Sequence, residues 1–369
     1  MGQEKYWVPF DVMASFMKDV LMGVGVPEED AKICADILIE SDKRGIDSHG
    51  VGRLKPIYYD RIKLGIQNPV TEFEIVREGF TTAVIDGHDG MGHVIGKRAM
   101  EMAIQKAKTY GMGMVTVRNS THYGIAGYYA SMAIEAGMIG ITGTNARPSI
   151  APTFGVENML GTNPLVFGMP TDEAFPFILD CATSITQRGK IEVYEREGKE
   201  LPPGWVIDEN GNTLTDTVQV LKDLVTGKAA LTPLGGIGED GGGYKGYGYA
   251  TVVEILSSAL QGGSFLKGLM GLENGKAVPY KLGHFFIAID IEAFISLDEF
   301  KKTTGQILRD LRNSNKAPGQ DHIYTAGEKE YLAGLEREGK GVPVGGVLQK
   351  QMIELKNTLG LTQYNFDFE

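Results

Sequence analysis

Apolar side chains recur three and four positions apart between Phe10 and Val24, at Val12, Met13, Phe16, Met17, Val20 and Leu21. That spacing puts them on one buried face of a helix. A second helix is predicted directly after it. Pro27 and the acids Glu28, Glu29 and Asp30 suit a first turn, Lys43 and Arg44 suit a last turn, and Gly45 suits a left-handed stop. Its core face should be Ile33, Cys34, Ile37 and Leu38. A third helix is predicted to end near Gly65, which makes the first 75 residues all-helical. From Thr82 the pattern changes to short β-rich runs alternating with helices: a strand at Ala83–Asp86, a helix at Val94–Tyr110, a strand at Met112–Val117, a helix at Ala126–Ala136 and a strand at Ile139–Thr144. Such alternation predicts an α/β layer. Phe177–Asp180 and His284–Ile291 are further predicted strands, separated by a long apolar helix at Tyr247–Leu260. Gly198–Gly211, rich in Pro, Gly and Asn, reads as an exposed hairpin-like excursion. The tail from Leu297 returns to helices, which are expected to pack on the N-terminal ones.

A chain of 369 residues is long for one hydrophobic core, so two packed domains are expected. The alternation divides them into a mainly helical domain built from residues 1–75 and 297–369, and an α/β cofactor-binding domain at 76–296. A formal charge of -11 argues against nucleic acid or an anionic membrane surface as partner. No apolar run approaches the ~20 residues of a membrane helix. Cys34 and Cys181 are the only cysteines, which indicates neither a disulfide framework nor a cysteine metal site and fits a reducing compartment. With no basic start followed by an apolar stretch, a cytoplasmic location is expected.

Candidate chemistry concentrates in two turns. Asp47-Ser48-His49-Gly50-Val51-Gly52-Arg53 places an imidazole and a guanidinium four residues apart. The guanidinium offers a flat fork of donors that matches a carboxylate, and the imidazole exchanges a proton near neutral pH. Thr121-His122-Tyr123-Gly124 follows a predicted strand and opens a predicted helix, a place where side chains face a ligand from a rigid frame. Two histidines and an arginine suffice to oxidise a 2-hydroxy acid or reduce a 2-keto acid. His88, His93, His284 and His322 lack partners at metal-ligand spacing and read as solvated or structural. A metal-dependent hydrolase or lyase would require Asp47, His49 and His122 to converge. A silent metabolite-binding protein is the third alternative.

Gly90-Met91-Gly92-His93-Val94-Ile95-Gly96 mimics a dinucleotide fingerprint, but its spacing is Gly-x-Gly-x-x-x-Gly and the next strand ends in Val117-Arg118 without a ribose-binding acid. It reads as an ordinary glycine turn. Leu234 to Gly248 is the better phosphate candidate, because its glycines expose backbone N–H groups, Lys245 adds charge, and a helix is predicted to start near Tyr247. Thr162 and Asn163, in a polar turn between apolar flanks, are candidates to line a cleft, as is Asp180-Cys181-Ala182-Thr183-Ser184 at a strand end.

These segments, in this order across almost the whole chain, resemble the type-2 malate/L-lactate dehydrogenase family. Its members include sulfolactate, ureidoglycolate and diketogulonate oxidoreductases and cyclic imino acid reductases. The resemblance covers the Asp47–Arg53 and Thr121–Gly124 turns, Gly161-Thr162-Asn163-Pro164, Asp180 with Ala182-Thr183, Arg188–Tyr194 and Tyr244–Gly248. It implies hydride transfer with NAD or NADP on a non-Rossmann mixed-sheet α/β fold, in a homodimer. It also implies that His122 acts as acid/base while Ser48, His49 and Arg53 face a small carboxylate substrate. Cofactor contacts would fall on Asp180, Cys181, Ala182 and Thr183, on Lys245 with Gly246, and on Ala326, Gly327 and Glu328. Arg147, where relatives more often carry a small or hydroxyl residue, is a second cation suited to a C4 carboxylate, which favours malate over lactate.

Overall fold

Both N-terminal helices form where the apolar spacing places them, at Phe10–Gly23 and Glu28–Lys43, with Gly45 in the left-handed conformation just past the second. The computed structural model describes residues 6–369. Phe16, Met17, Val20, Leu21, Cys34 and Leu38 are buried in one core with Val342, Val344, Met352, Leu355, Tyr364 and Phe366 from the C-terminus. The strand Tyr6–Val8 pairs antiparallel with Val342–Val344 and ties the two ends of the chain together. The expected packing of the tail on the N-terminal helices therefore holds for residues 342–366. The helix Leu297–Asn313 goes elsewhere: its Arg309 and Arg312 pair with Asp172 and Glu173.

Seven strands make the central sheet: β1 (Glu74–Glu78), β2 (Thr82–Asp86), β3 (Met112–Ser120), β4 (Met138–Thr144), β5 (Leu165–Met169), β6 (Phe177–Cys181) and β7 (Leu282–Asp290). Their order is β1-β2-β3-β7-β4-β5-β6. Only β2 and β3 run parallel; every other neighbouring pair in this sheet is antiparallel. The sheet is thus mixed, and β7, from late in the chain, is inserted at its centre. The helices Gly92–Tyr110 and Gly127–Glu135 bury Ala99, Ala103, Ala130 and Ala133 with Ile85, Val115, Val117 and Phe286. Small residues on the helices let them lie close to the β-branched and aromatic face of the strands. β1 escapes the hydrophobic pattern because all five of its residues are exposed.

Three expectations need correction. Gly198–Gly211 is no exposed excursion: Leu201 and Val206 are buried in a separate core with Ile150, Leu160, Ile191 and Val220, and Val206–Asp208 pairs with Ala229–Leu231. The Pro, Gly and Asn residues mark its turns, while single apolar residues between them carry the burial. The helix expected near Tyr247 begins at Gly243, so Lys245 and Gly246 lie in its first turn. The third N-terminal helix is broken into a 3₁₀ turn at Val51–Arg53, a π-helical segment at Leu54–Tyr59 and one α turn at Asp60–Lys63. Pro56 sits in the π segment, where it supplies no N–H and its ring opposes the carbonyl a turn earlier. Among the described residues no helix is long and apolar enough to cross a membrane.

Candidate active site

The Asp47–Arg53 turn is held from beneath by Asp42, the penultimate residue of the second helix. Val51 N–H donates to Asp42 Oδ2 at 2.9 Å, and His49 N–H donates to Ile46 O at 2.9 Å. Gly50 allows this contact, since a Cβ there would lie 1.8 Å from Asp42 Oδ1. Ser48 Oγ lies 2.9 Å from His49 Nδ1, and Arg53 Nε donates to Ser48 O. Asp47 is turned the other way, with both carboxylate oxygens held by Arg337. It therefore does not join His49 and His122, and among the described residues no three His, Cys, Asp or Glu side chains form a group able to hold a metal.

The second turn comes from the far side. Thr121 Oγ donates to Gly90 O at 2.7 Å and accepts Gly92 N–H at 3.0 Å, which fixes the entry to the turn. His122 stacks on His49, with ring centroids 5.6 Å apart and planes 19° from parallel. Residues 73 positions apart in sequence are so brought to one point, with Arg53 beside them. His122 Nδ1 lies 2.6 Å from Tyr58 Oη and accepts Gly124 N–H at 3.3 Å; Tyr58 Oη lies 3.1 Å from His93 Nε2. Two proton arrangements satisfy the Tyr58 hydrogen bonds: His93 Nε2–H donates to Tyr58 Oη and Tyr58 O–H to His122 Nδ1, which puts the proton of neutral His122 on Nε2, or His122 Nδ1–H donates to Tyr58 Oη and Tyr58 O–H to His93 Nε2, which leaves His122 Nε2 free to accept a proton. Tyr58 and His93 are fully buried. Gly124 has φ +82°, and a Cβ on it would press on His93 Nε2 and Ile37 Cγ2 at 2.9 Å.

His93, expected to be solvated or structural, is fully buried and hydrogen-bonded to Tyr58. It lies in the helix Gly92–Tyr110 and reaches His122 through the Tyr58 hydroxyl. Tyr58, on the π-helical segment, was not singled out by the sequence. The other histidines are structural. His284 is buried between Thr144 Oγ1 at 2.7 Å and Ser120 Oγ at 2.8 Å, His88 meets Glu74 at 2.7 Å, and His322 meets Glu328 at 2.7 Å. Replacing Tyr58 with Phe should remove one neutral hydrogen bond from His122 and lower kcat about tenfold with little change in KM. Steady-state kinetics at matched thermal stability check this, and an unchanged kcat would show that the hydroxyl does not orient the ring.

Electrostatically the site is one-sided. Burial, then the Arg53 charge, lowers His49 to about 4. Burial, then His49, Arg61, His93 and Arg53, holds His122 well below the ordinary imidazole range. Burial alone takes His93 to about 3. All three rings are neutral at pH 7 in a surround that is otherwise cationic. Both His49 and His122 are half-buried residues. Such a surround attracts an anion, whose charge would restore proton affinity to His122.

The remaining candidates fall into two groups. Asn163 is fully buried, its Oδ1 accepts Ala146 N–H at 3.1 Å, and its Nδ2 donates to Ala250 O at 3.1 Å and Glu254 Oε2 at 2.8 Å. Rather than offering its amide to a substrate, it holds the turn carrying exposed Arg147. Thr162 O accepts Thr183 N–H at 3.0 Å, and Thr183 Oγ1 donates to Asn163 O at 3.0 Å. Leu234 N–H donates to Thr183 O, linking this loop to the segment before Lys245 and Gly246. Asp180, Gly327 and Ile178 line a cleft of about 640 Å³ together with Phe175 and Tyr331. Ile178 N–H donates to Ala326 O there, and Asp180 accepts Gly127 N–H at 2.7 Å. Cys181 and Ala182 connect the two groups along the chain. Glu328 is engaged by Thr325 N–H at 3.0 Å and by His322.

The family model described as malate/L-lactate dehydrogenase matches residues 8–353. A malate dehydrogenase of Pyrococcus horikoshii is 46% identical over 354 residues, covering 96% of each chain. An L-sulfolactate dehydrogenase of Methanocaldococcus jannaschii is 41% identical, covering 93% of this chain and 94% of its own. The crystal structure of malate dehydrogenase from Entamoeba histolytica is 48% identical and superposes with a TM-score of 0.94 over 99% of this chain and 100% of that one. Each of these proteins matches the length over which the two histidine turns, the mixed sheet and the C-terminal helices occur, and the chain belongs to the malate/L-lactate dehydrogenase family.

Proposed function

We propose that this protein is a dehydrogenase that moves a hydride between NAD or NADP and a small 2-hydroxy or 2-keto acid, with malate and oxaloacetate preferred. One observation carries the reading: the stacked His49–His122 pair stands beside Arg53, whose terminal nitrogens have no protein acceptor among the described residues. Arg53 takes the carboxylate next to the reacting carbon as a bidentate pair, His122 exchanges the hydroxyl proton at Nε2, and His49 polarises the same oxygen. Holding both groups of the acid at once converts binding energy into orientation. The names of the relatives, malate and sulfolactate dehydrogenases among them, support this substrate class.

The cofactor, when bound, supplies the hydride acceptor or donor. The residues present fit such a group. The 640 Å³ cleft at Asp180, Ile178 and Gly327 has the size and apolar walls of a ligand site, and the Thr183 loop leads from it toward Lys245 in the first turn of the helix Gly243–Leu256. The glycine fingerprint at residues 90–96 supports placing the cofactor elsewhere than on a Rossmann turn. Gly92 and Gly96 lie inside the helix and pack against Thr121 O and the Tyr129 ring. A single parallel pair in the sheet also leaves no crevice of the doubly wound kind.

Assaying a panel of 2-keto acids with NADH and NADPH separately tests the reading, and absence of cofactor oxidation with every acid would end it. Within it, Arg53→Ala should raise KM for the acid by about 10- to 100-fold through loss of a charge-assisted pair. A KM unchanged in that variant would remove Arg53 from the carboxylate.

A further inference from the structure

Arg61 is left over once the reaction is assigned. It lies in the single α turn that follows the π-helical segment, three residues after Tyr58 and so on the same face. Its guanidinium carbon sits 4.2 Å from the centroid of the Tyr280 ring, and the side chain is only partly exposed. Stacking on Tyr280 occupies one face of the guanidinium and leaves the edge, with its five N–H donors, free. Among the described residues that edge meets no acceptor. The arginines that serve the scaffold behave otherwise: Arg337 reaches Asp47, Arg312 reaches Glu173, Arg118 reaches Asp86 and Arg98 reaches Asp30.

Arg61's charged neighbours are cations. Burial lowers its proton affinity first, the Tyr280 and Tyr58 hydroxyls partly offset this, and Arg147 and Arg53 lower it further. A guanidinium withdrawn from water, facing like charges and lacking a counter-ion, is costly to the fold. An anion meeting the free edge of Arg61 relieves that cost, so binding there is favoured beyond the contact itself. The field of Arg61 also reaches His122. Tyr58, one turn before Arg61, has its hydroxyl 2.6 Å from His122 Nδ1, which places Arg61 on the side of the site that His122 occupies.

We propose that Arg61 is the specificity-determining residue for the distal end of the substrate: it binds a second oxyanion, carboxylate or sulfonate, while Arg53 holds the carboxylate beside the reacting carbon. This rests on the reading of Arg53 and His122 given above and moves the second clamp from Arg147. Arg147 is exposed, and a pair formed in water is weaker than one formed against an aromatic wall.

The test compares malate, 3-sulfolactate and lactate in wild type, Arg61→Ala, Arg61→Lys and Arg147→Ala, together with calorimetric binding of succinate and propanoate, which cannot be oxidised at a hydroxyl. Arg61→Ala should lose about 100-fold in kcat/KM on malate, mostly in KM, and change lactate by less than about threefold. Arg61→Lys should fall between, since it keeps the charge and loses the fork. Sulfolactate losing as much as malate would mean either oxyanion fits; sulfolactate untouched would confine the subsite to carboxylates. Equal losses on malate and lactate, or a malate preference that collapses in Arg147→Ala and survives in Arg61→Ala, would overturn the assignment. Succinate should bind wild type more tightly than propanoate does, and Arg61→Ala should abolish the difference. Should no acid be turned over while that difference still depends on Arg61, the dehydrogenase reading falls and the anion subsite stands. Turnover with succinate binding indifferent to Arg61 does the reverse.

Discussion

Replacing His122 with alanine is expected to lower kcat for 2-hydroxy acid oxidation by about 10²- to 10⁴-fold while leaving KM within a few-fold of wild type. The expectation follows from what surrounds the ring. Its Nδ1 is enclosed by Tyr58 Oη and Gly124 N–H, so proton exchange with a substrate is confined to Nε2. Tyr58 can serve both states of the ring. With the neutral ring's proton on Nδ1, its hydroxyl accepts from His122 Nδ1–H and donates to His93 Nε2, and the same two bonds persist in the imidazolium formed when Nε2 takes the substrate's hydroxyl proton. No carboxylate performs this task, which is why burial and nearby cations dominate and hold His122 low. With the free-enzyme imidazole depressed, kcat/KM for oxidation should already be at its plateau near pH 7 and decline only at a pH below the usual histidine range. Stopped-flow and steady-state rates of the variant across pH check the assignment, and a full turnover rate without the imidazole would remove it.

The parts of this site that could be read from the chain are those carried by local turns. Ser48, His49 and Arg53 share one seven-residue bend, and His122 follows a β-rich run that ends in a short polar turn, so residue type and spacing announce them. The two N-terminal helices were legible because apolar spacing, acidic starts and a glycine stop agree at each end. Tyr58, His93 and Arg61 gave no comparable signal. Tyr58 and His93 reach His122 from 64 and 29 residues away, and neither spacing has meaning until the sheet brings the turns together. His93 was masked further by the glycines around it. One clue was available: Tyr58 and Arg61 stand three apart just after Arg53, on what any helical geometry makes one face. Pro56 obscured it by making a regular helix there improbable. The order of the sheet was equally hidden, because β7 enters between β3 and β4 from more than 130 residues downstream.

The stability that Asp42 contributes should fall as pH rises from about 4 to about 8, so the advantage of wild type over Asp42→Asn should shrink across that window. Asp42 is 1% exposed, and burial, with Asp47 adding repulsion, raises its carboxyl from 3.8 to about 8 against the opposing pull of the Val51 N–H and Arg337. A carboxyl raised in the folded state binds its proton more tightly there than in the unfolded chain. The stability it contributes is therefore complete below the unfolded pKa and is lost as pH climbs through the folded one. Each unit of such a shift is worth about 1.4 kcal/mol, so even half of it outweighs most single surface interactions. Asparagine has the same shape and still offers an oxygen to Val51 N–H, so the Gly50 contact and the turn beneath His49 and Arg53 survive. It has no proton to lose. Thermal or urea midpoints of wild type minus variant, measured from pH 4 to 9, should drop steadily across that window and level off above it. A difference that stays flat would mean that Asp42 is ionised in the fold throughout, and the turn that carries the site would then rest on a buried charge rather than on a neutral acid.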